Sequence, residues 1–362
     1  MGTSCAGIRS GGAQLVAPGR QHRGEEESAE SRPAFSILMA AYNAEKTIGE
    51  TLESLVGQTR SDWEAIVVDD GSTDATRAVV SSFASRDSRI RVVSKQNAGT
   101  ASARNVAAGL ATAPLLGLLD ADDKYLCSYL ESMGFFIEEH PDFDIYSSEG
   151  YLLDPSGVQR PSDGLAREGS TISYTAEDLL VRNRIWVQTL FRTAVFDLVG
   201  GFEEHPQMRM EDYDFWLRAL LRGARHIRNP QQLWVYRLNP GSKSADPLSV
   251  AGDNLFMFDR LIESGELSGE RLRIARRSRA RLLRVPEILR AKSARRLLES
   301  RLLEREYVGA RTLYAAARRA YLSGPKYACG LLLVMVSPRL FARVWRGKDR
   351  AKRVESGARP TA

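Results

Sequence analysis

The chain has 362 residues, of which 43% are hydrophobic, and it carries a formal net charge of +6 at pH 7. This length allows one large domain or two smaller ones, with ample apolar material for a core. The cysteines (Cys5, Cys127 and Cys329) are odd in number and far apart, which excludes a disulfide framework and a zinc-ligand pattern. No apolar stretch reaches the roughly 18–20 residues that span a bilayer, and no signal-peptide core is present. These features predict a cytoplasmic protein.

The charge is unevenly distributed along the chain. From Arg271 to the C-terminus there are 25 Lys and Arg against 6 Asp and Glu, whereas residues 1–270 hold 26 basic and 39 acidic residues. An acidic body with a basic C-terminal third is typical of proteins that contact an anionic surface, either lipid headgroups or nucleic acid. We expect no nucleic acid partner, because the sequence has neither a recognised binding module nor interleaved stacking aromatics.

Regular secondary structure is predicted from residue 34 onward. Residues 1–33 are rich in Gly, Ser and Glu without periodicity, which predicts a disordered leader. Three apolar runs then predict buried strands: 35–40, 63–68 and 90–93. Helical patterns lie between them, the first with Ile48, Leu52, Leu55 and Val56 on one face. This alternation, in units of about 30 residues, predicts a parallel, doubly wound sheet.

A run of carboxylates follows the fourth predicted strand. Leu115–Leu119 is apolar or small throughout, and Asp120, Asp122 and Asp123 come directly after it. A strand buried on both faces ends in a crevice of the sheet, where unpaired carboxylates would repel one another. A divalent cation relieves that repulsion, since Mg²⁺ and Mn²⁺ prefer hard oxygen ligands. The alternative is an acidic N-cap for the next helix.

Shorter elements are predicted in the second half of the chain. Strands are expected at 144–147, 150–153, 186–191 and 233–237. Helices are expected over 126–137, 193–199 and 211–223, the second of them stopped by Gly200-Gly201. A further short helix is expected after Thr175, which forms a capping-box pattern with Asp178. Beyond Asn254 the pattern is helical and rich in Arg.

Six short motifs occur in order along the chain. They are Ala41-Tyr42-Asn43-Ala44-Glu45, Val67-Val68-Asp69-Asp70-Gly71-Ser72-Thr73-Asp74, Asn97-Ala98-Gly99 with Ala103-Arg104-Asn105, Leu119-Asp120-Ala121-Asp122-Asp123, Gly200-Gly201-Phe202-Glu203 and Glu211-Asp212-Tyr213. Each is weak alone, but together they resemble the family 2 glycosyltransferases over roughly residues 34–245. The resemblance implies the α/β fold called GT-A, a Rossmann-like, mostly parallel twisted sheet with flanking helices. It implies a catalytic domain at 34–250, followed by a helical, Arg-rich extension at 251–362.

The resemblance assigns residues to a nucleotide-sugar donor. Asp70 would accept the imide N–H of uracil, and Tyr42 would stack on the base. Asn97 and Arg104 would contact the donor, Arg104 at its diphosphate, where a guanidinium binds in bidentate fashion. Asp120 would bind a ribose hydroxyl. The alternatives are a simple turn and helix cap around Asp70, packing on the sheet for Tyr42, and a surface ion pair for Arg104.

The resemblance also assigns the chemistry. Asp122 would be the direct ligand of a divalent metal, Mn²⁺ or Mg²⁺, which stabilises the departing nucleoside diphosphate. Family 2 enzymes invert the anomeric carbon, and one carboxylate takes the proton of the acceptor hydroxyl; Asp212 would be that base. Glu211 would bind the acceptor or raise the pKa of Asp212 by like-charge proximity. The alternative is that both acids only favour a helix N-terminus.

Two positions depart from the family pattern. Many relatives carry a His shortly after the Tyr-Arg that ends the last strand, where it helps to bind the metal or the diphosphate. Asn239 is found there instead, and Arg237, Ser242 and Lys243 could hold phosphate. The usual Pro before Ala-Tyr-Asn is Ala40, which we expect to matter little.

The expected protein is therefore an enzyme that transfers a hexose or N-acetylhexosamine from a nucleoside-diphosphate sugar, and UDP is the favoured nucleotide of that donor. The acceptor would be a hydroxyl of a glycan or lipid-linked molecule in cell-surface polysaccharide or glycoconjugate synthesis. A sugar nucleotidyltransferase would carry a Gly-rich phosphate loop after the first strand, and Ala41-Tyr42-Asn43 stands there instead. A degenerate transferase acting as a membrane-surface scaffold is the other alternative, which would require missing catalytic acids.

The basic C-terminal end has two interpretations. Residues 327–336 are apolar, and Phe341, Val344 and Trp345 then lie among Arg and Lys residues. Such a segment is typical of a helix at an anionic membrane surface, which would make the protein peripheral on the inner face of the plasma membrane. The alternative is a helical bundle docked on the catalytic domain with a solvated basic face.

Overall fold

The computed structural model describes residues 32–162, 170–239 and 245–289. The strands are β1 (Phe35–Ala41), β2 (Trp63–Asp69), β3 (Ile90–Ser94), β4 (Leu115–Leu118), β5 (Lys124–Tyr125), β6 (Ile145–Leu153), β7 (Gln159–Pro161), β8 (Leu190–Arg192) and β9 (His226–Arg237). The helices are α1 (Ile48–Val56), α2 (Thr76–Ala84), α3 (Thr100–Leu110), α4 (Tyr129–Glu139), α5 (Ala176–Val181), α6 (Thr193–Val199), α7 (Glu211–Leu221), α8 (Pro247–Glu263) and α9 (Gly269–Leu283).

One mixed sheet runs through the described residues, in the strand order β3-β2-β1-β4-β8-β6-β9-β5, with β7 paired to β6. Strands β3, β2, β1 and β4 are parallel, as the alternating sequence pattern predicts. β8 joins β4 antiparallel, and β5 and β7 also pair antiparallel. The chain runs outward from β1 to β3 and returns to the other side of β1 with β4. The carboxyl ends of β1 and β4 therefore flank a topological switch point, where open α/β sheets bind ligands.

Two apolar cores cover the two faces of the sheet. On β1, Ile37 and Met39 belong to the core that includes α1 and α4, whereas Leu38 belongs to the core with α3 and α7. Since successive side chains of a strand point to opposite faces, this double burial explains the uninterrupted apolar run. Val56 was expected on the buried face of α1 but is exposed, because it lies at the end of the helix and at the edge of its apolar stripe.

Two predicted helix boundaries are confirmed by their geometry. At the start of α5, Asp178 N donates to Thr175 Oγ1 at 3.2 Å, and Thr175 N donates to Asp178 Oδ2 at 2.9 Å, which completes the capping box. The helix α6 ends at Gly200, whose φ of 81° is in the left-handed region that favours glycine.

The strands of the second half differ from their predicted bounds. A single strand, β6, replaces the two that were expected, because its central polar residues are buried with partners on β9. Glu149 pairs with Arg228 at 2.6 Å, and the Ser147 hydroxyl is 2.8 Å from His226 Nε2. These buried polar groups interrupt the apolar pattern from which strands are predicted. β8 is shorter than expected, and β5 is too short to be recognised from a pattern.

Part of the predicted C-terminal extension packs on the core of the sheet. Met257, Phe258 and Leu261 of α8 and Ala275 of α9 join the apolar cluster that covers one face of the sheet. The packing thus continues past the predicted boundary at residue 250. Among the described helices, none combines the length and apolarity that crossing a bilayer requires. The predicted leader, apart from its last residues, and the apolar and Trp-bearing segments at 327–345 lie outside the described residues.

Candidate active site

A cleft of about 1010 Å³ opens at the carboxyl ends of β1, β2 and β4. Seven of the eight predicted site residues line it: Tyr42, Asp70, Arg104, Asp120, Asp122, Glu211 and Asp212. The eighth, Asn97, is exposed and lies outside the described lining of the cleft. Small-molecule sites usually enclose about 300–1,000 Å³, so this cleft lies at the upper end of that range.

Asp70 directly follows β2 and lines the cleft. Its side chain is buried and accepts hydrogen bonds from Lys95 Nζ at 2.7 Å, Ala98 N at 3.0 Å and Gly99 N at 2.8 Å. A carboxylate has about four acceptor positions, and three of them are used by the chain. Asp70 lines the cleft, so its fourth acceptor position can accept one N–H from a ligand.

The loop after β1 is fixed by the loop after β2. Asn43 has a φ of 50°, which Asn tolerates better than most residues, and its Oδ1 accepts from Thr73 N at 2.9 Å. Glu45 Oε2 accepts from Ala75 N at 3.0 Å. These bonds hold the backbone on the C-terminal side of Tyr42, whose ring is 52% exposed at the cleft. An exposed aromatic ring on a fixed loop can stack on a flat ligand.

Three carboxylates form a tight turn after β4. Ligand oxygens of Asp120, Asp122 and Asp123 lie within 4.8 Å of one another. Burial and the charge of Asp120 raise the pKa of Asp122 to about 6. Burial and the charges of Asp120 and Asp122 raise the pKa of Asp123 as well. The turn therefore concentrates negative charge that a bound cation would relieve.

Neighbouring elements hold this acid turn in place. Thr51 of α1 donates to Ala121 O at 3.1 Å. Arg237, at the end of β9, donates through its backbone N to Asp123 Oδ1 at 2.9 Å and through Nε to Asp122 O at 3.1 Å. The side chain of Gln188 donates to Asp123 Oδ2. Arg237 thus supports the turn, and whether it also holds phosphate stays a prediction; Ser242 and Lys243, the other candidates for that role, lie outside the described residues.

The three acids suit a hard divalent cation, but they are not equivalent. Asp120 pairs with Arg104, and Asp123 is held by Arg237 and Gln188. Asp122 forms no ion pair with any described residue, and it lines the cleft. Carboxylate oxygens are the ligands that Mg²⁺ and Mn²⁺ prefer. These carboxylate ligands therefore fit such an ion, and Asp122 is the acid most available to it.

Arg104 connects the acid turn to the start of α7. Its guanidinium donates to Asp120 Oδ1 at 2.6 Å and to Glu211 Oε1 at 2.8 Å, and the side chain is almost completely buried. Burial lowers the pKa of Arg104, but the charges of Asp120 and Glu211 outweigh it and hold that pKa above its ordinary value. Arg104 is thus in a buried ion-pair network rather than the surface pair considered as an alternative, and its direct contact with a diphosphate stays a prediction.

Asp212 lies in the first turn of α7, next to Glu211. Burial and the charge of Glu211 raise the pKa of Asp212 to about 6, while Arg104 opposes this shift. The predicted like-charge effect is therefore present, although burial is the larger cause. Glu211 is buried and held by Arg104, whereas Asp212 is only partly buried and forms no ion pair with the described residues. A carboxylate with a raised pKa in a cleft is suited to accept a proton near neutral pH.

Several residues in or beside the cleft, or their contacts, could not be found from the sequence motifs. Asp123 belongs to the acid run but had no assigned role, and its contacts with Gln188 and Arg237 come from distant elements. Arg182 and Arg184 line the wall that follows α5. No periodicity or motif marks these two arginines in a sequence with many Arg residues. Asn239, by contrast, was recognised from the sequence as a departure from the pattern that the chain resembles, and it lines the cleft.

Comparisons with known proteins identify a family and relatives of this chain. The family model described as Glycosyl transferase family 2 matches residues 36–199. The putative teichuronic acid biosynthesis glycosyltransferase TuaG of Bacillus subtilis is 30% identical over 230 residues, which cover 63% of this chain and 88% of TuaG. The Escherichia coli UDP-Glc:alpha-D-GlcNAc-diphosphoundecaprenol beta-1,3-glucosyltransferase WfaP is 31% identical over 212 residues, or 58% of this chain and 80% of WfaP.

A solved structure has a similar fold. The mannosyltransferase PcManGT from Pyrobaculum calidifontis, in complex with GDP-Man and Mn²⁺, superimposes with a TM-score of 0.57. The match covers 87% of each chain at 19% sequence identity. At this identity the likeness shows the GT-A fold alone, and it agrees with the mixed sheet and flanking helices described above.

Proposed function

The chain belongs to glycosyl transferase family 2, and on that premise we propose that it transfers a hexose or N-acetylhexosamine from a UDP-linked donor to a hydroxyl of a lipid-linked glycan. The setting would be the synthesis of a cell-surface polysaccharide. WfaP, by its name, uses UDP-Glc and a diphosphoundecaprenol-linked sugar, and TuaG is named for teichuronic acid biosynthesis. These relatives support the donor and acceptor classes of the proposal.

One observation carries the proposal. Carboxylates from three distant parts of the chain meet in one cleft at the switch point of the sheet: Asp70, Asp122 and Asp212. Each has a different environment: Asp70 is hydrogen-bonded by N–H groups, Asp122 lies in an acid cluster, and Asp212 starts a helix. Three acids with separate environments are suited to three separate tasks. Because all three are present, a catalyst is favoured over a degenerate scaffold.

The donor would lie along the wall formed by the loops after β1, β2 and β4. Tyr42 would stack on uracil, and the free acceptor position of Asp70 would take the imide N–H. Asp120 would bind the ribose. Asn97, in the loop after β3, and Arg104, which is bound to Asp120 of the acid turn, would support the donor. A Mn²⁺ or Mg²⁺ ion held by Asp122 would supply charge neutralisation for the departing diphosphate.

The acceptor would approach from the side of α7. Asp212 would accept the proton of the acceptor hydroxyl as that oxygen attacks the anomeric carbon from the face opposite the diphosphate. A single displacement of this kind inverts the anomeric configuration. Glu211, fixed by Arg104 at 2.8 Å, would keep the pKa of Asp212 raised and contribute to acceptor binding.

The same proposal includes association with the inner face of the plasma membrane, where a lipid-linked acceptor is held. In support, α9 exposes Arg273, Arg276 and Arg277 on the surface of the described structure. Each basic residue near an anionic leaflet contributes about 1 kcal/mol. The basic segments beyond residue 289 would add to this attraction through their composition alone.

A donor panel tests the proposed function. Purified full-length protein is incubated with UDP-, GDP- and dTDP-sugars and a lipid-diphosphate sugar acceptor, and nucleoside diphosphate release and product mass are measured. We expect acceptor-dependent release of UDP that is lost in EDTA and restored by Mn²⁺ or Mg²⁺. Preference for a GDP- or dTDP-sugar would overturn the donor assignment. Absence of transfer with every donor and acceptor would overturn the enzyme proposal.

A further inference from the structure

The wall of the cleft formed by residues 182–187 is held firmly at both ends. Arg182 directly follows α5, and the Asn183 side chain accepts from Ile185 N at 3.1 Å. Ile185 is buried, and the Trp186 ring contacts the rings of Trp234 at 5.2 Å and Tyr236 at 5.6 Å. The backbone on either side of Arg184 is therefore fixed, and the two arginines are presented to the cleft from a rigid support.

The cations that line the cleft differ in their partners. Arg104 and Arg209 are held by carboxylates at 2.6–2.8 Å. Arg182, Arg184 and Lys46 form no ion pair with a carboxylate among the residues that the structure describes. Lys46 lies in the loop after β1, on the wall where the donor is proposed to bind. On the opposite wall, Arg182 and Arg184 are therefore the cations that lack a carboxylate partner among the described residues.

An aromatic neighbour orients Arg184 without neutralising it. The Arg184 guanidinium lies 6.0 Å from the centroid of the Tyr174 ring, a cation–π distance. Both arginines remain in a cleft that also contains the acids Glu211 and Asp212. A pair of guanidinium groups on one wall is suited to an anionic ligand, because each fork can form two parallel hydrogen bonds to phosphate oxygens.

The position of this wall relates it to the acceptor. The Tyr213 hydroxyl donates to Leu179 O, so the first turn of α7 touches the last turn of α5. Arg182 follows Leu179 by three residues, and Asp212 precedes Tyr213. The arginine wall and the candidate base are thus neighbours. The donor's own diphosphate is expected on the other side of the cleft, at the acid turn.

We propose that Arg182 and Arg184 form a phosphate subsite for the acceptor. The two side chains would bind the diphosphate that joins the acceptor sugar to its lipid, and the sugar hydroxyl would then reach Asp212. This inference rests on the proposed function and adds a recognition element to it. The subsite selects phosphate-bearing acceptors over uncharged glycosides of the same sugar.

A binding experiment tests the subsite without requiring turnover. Full-length protein is saturated with UDP to fill the donor wall and then titrated with farnesyl diphosphate, with farnesol as the uncharged counterpart. We expect R182Q and R184Q each to weaken farnesyl diphosphate binding by about tenfold or more, the scale of a lost charged hydrogen bond. R77Q, an exposed arginine of α2, is the matched control and should bind as wild type. Unchanged affinity in both cleft variants, or an equal loss of UDP affinity, would overturn the subsite.

A kinetic experiment separates the subsite from the proposed function. The KM of a lipid-diphosphate sugar should rise about tenfold or more in R182Q and R184Q, whereas the KM of an uncharged glycoside of the same sugar should not change. Equal losses with both acceptors would refute a phosphate subsite. A wild-type preference for a glucuronide on an uncharged lipid would also refute it, because the anion would then be a carboxylate. If wild type transfers to no acceptor, the proposed function fails, and the farnesyl diphosphate titration still decides the subsite.

Discussion

Replacing Asp212 by Asn removes basicity while keeping the shape of the side chain. Burial and Glu211 raise the pKa of Asp212 to about 6 from its ordinary value of 3.8, so the carboxylate is ionised at pH 7.5 and a better proton acceptor than an exposed Asp. A positioned base is worth about 10²–10⁴ in rate, which corresponds to roughly 3–5.5 kcal/mol of the barrier. We therefore expect D212N to lower kcat by that factor. UDP affinity should not change, because Asp212 is not among the residues proposed to bind the donor.

The assay is the pH dependence of UDP release in wild type and D212N, with UDP affinity measured by calorimetry. Since a protonated carboxyl cannot accept the acceptor proton, wild-type kcat/KM should rise with pH through about 6 and then level off. At saturating Mn²⁺, which would keep Asp122 ionised although its pKa is also raised to about 6, D212N should lack this rise. Turnover like that of wild type would reduce Asp212 to a helix-terminal acid. A loss of UDP affinity together with kcat would make the Glu211–Asp212 pair structural.

Three further predictions concern the metal, the fold and the membrane. D122N should lose nearly all transfer and the dependence of UDP binding on Mn²⁺, because an amide lacks the charge that the cation requires. Calorimetry measures the UDP binding, and D142N, a change at an exposed residue, is the control. Unchanged turnover that is insensitive to EDTA would contradict this prediction. G150A should lower the free energy of unfolding by about 1–3 kcal/mol or more, because a Cβ there would lie 2.1 Å from the Trp234 ring. The control is G109A in α3, where a Cβ meets nothing within 4 Å; it should leave stability unchanged or raise it by about 0.5–1 kcal/mol. Urea titration compares the two variants, and equal effects would refute the packing described. Full-length protein should bind anionic vesicles at low salt and be released as salt rises, since screening weakens exposed charges, and co-sedimentation that ignores lipid charge would count against the membrane proposal.

The residues that could be predicted are those whose position follows from local sequence. Asp70 and Asp122 come directly after apolar strands, and parallel strands bring their carboxyl ends to one edge of a sheet. Asp212 starts a helix and reaches the same cleft. The strand pattern was therefore enough to bring Asp70 and Asp122 together, whereas Asp212 was assigned to the site by the resemblance to family 2 glycosyltransferases, because two acids at a helix start alone indicate no site.

Other features depend on contacts between distant segments and left no local signal. Arg104 pairs with Glu211, 107 residues away, which no motif reveals. The single long strand β6 was predicted as two, because burial of Glu149 depends on Arg228 in β9. The short β5, which pairs with β9 and follows the acid turn, has too few residues for any periodicity.

The most direct test of the central claim is the anomeric configuration of the product. An α-linked UDP-sugar and the lipid-diphosphate acceptor are incubated with wild-type protein, and the new glycosidic linkage is assigned by NMR. A single displacement assisted by Asp212 as base predicts a β-linked product that is formed only with the acceptor present. An α-linked product would require a second displacement or a front-face reaction, and it would contradict the role given to Asp212.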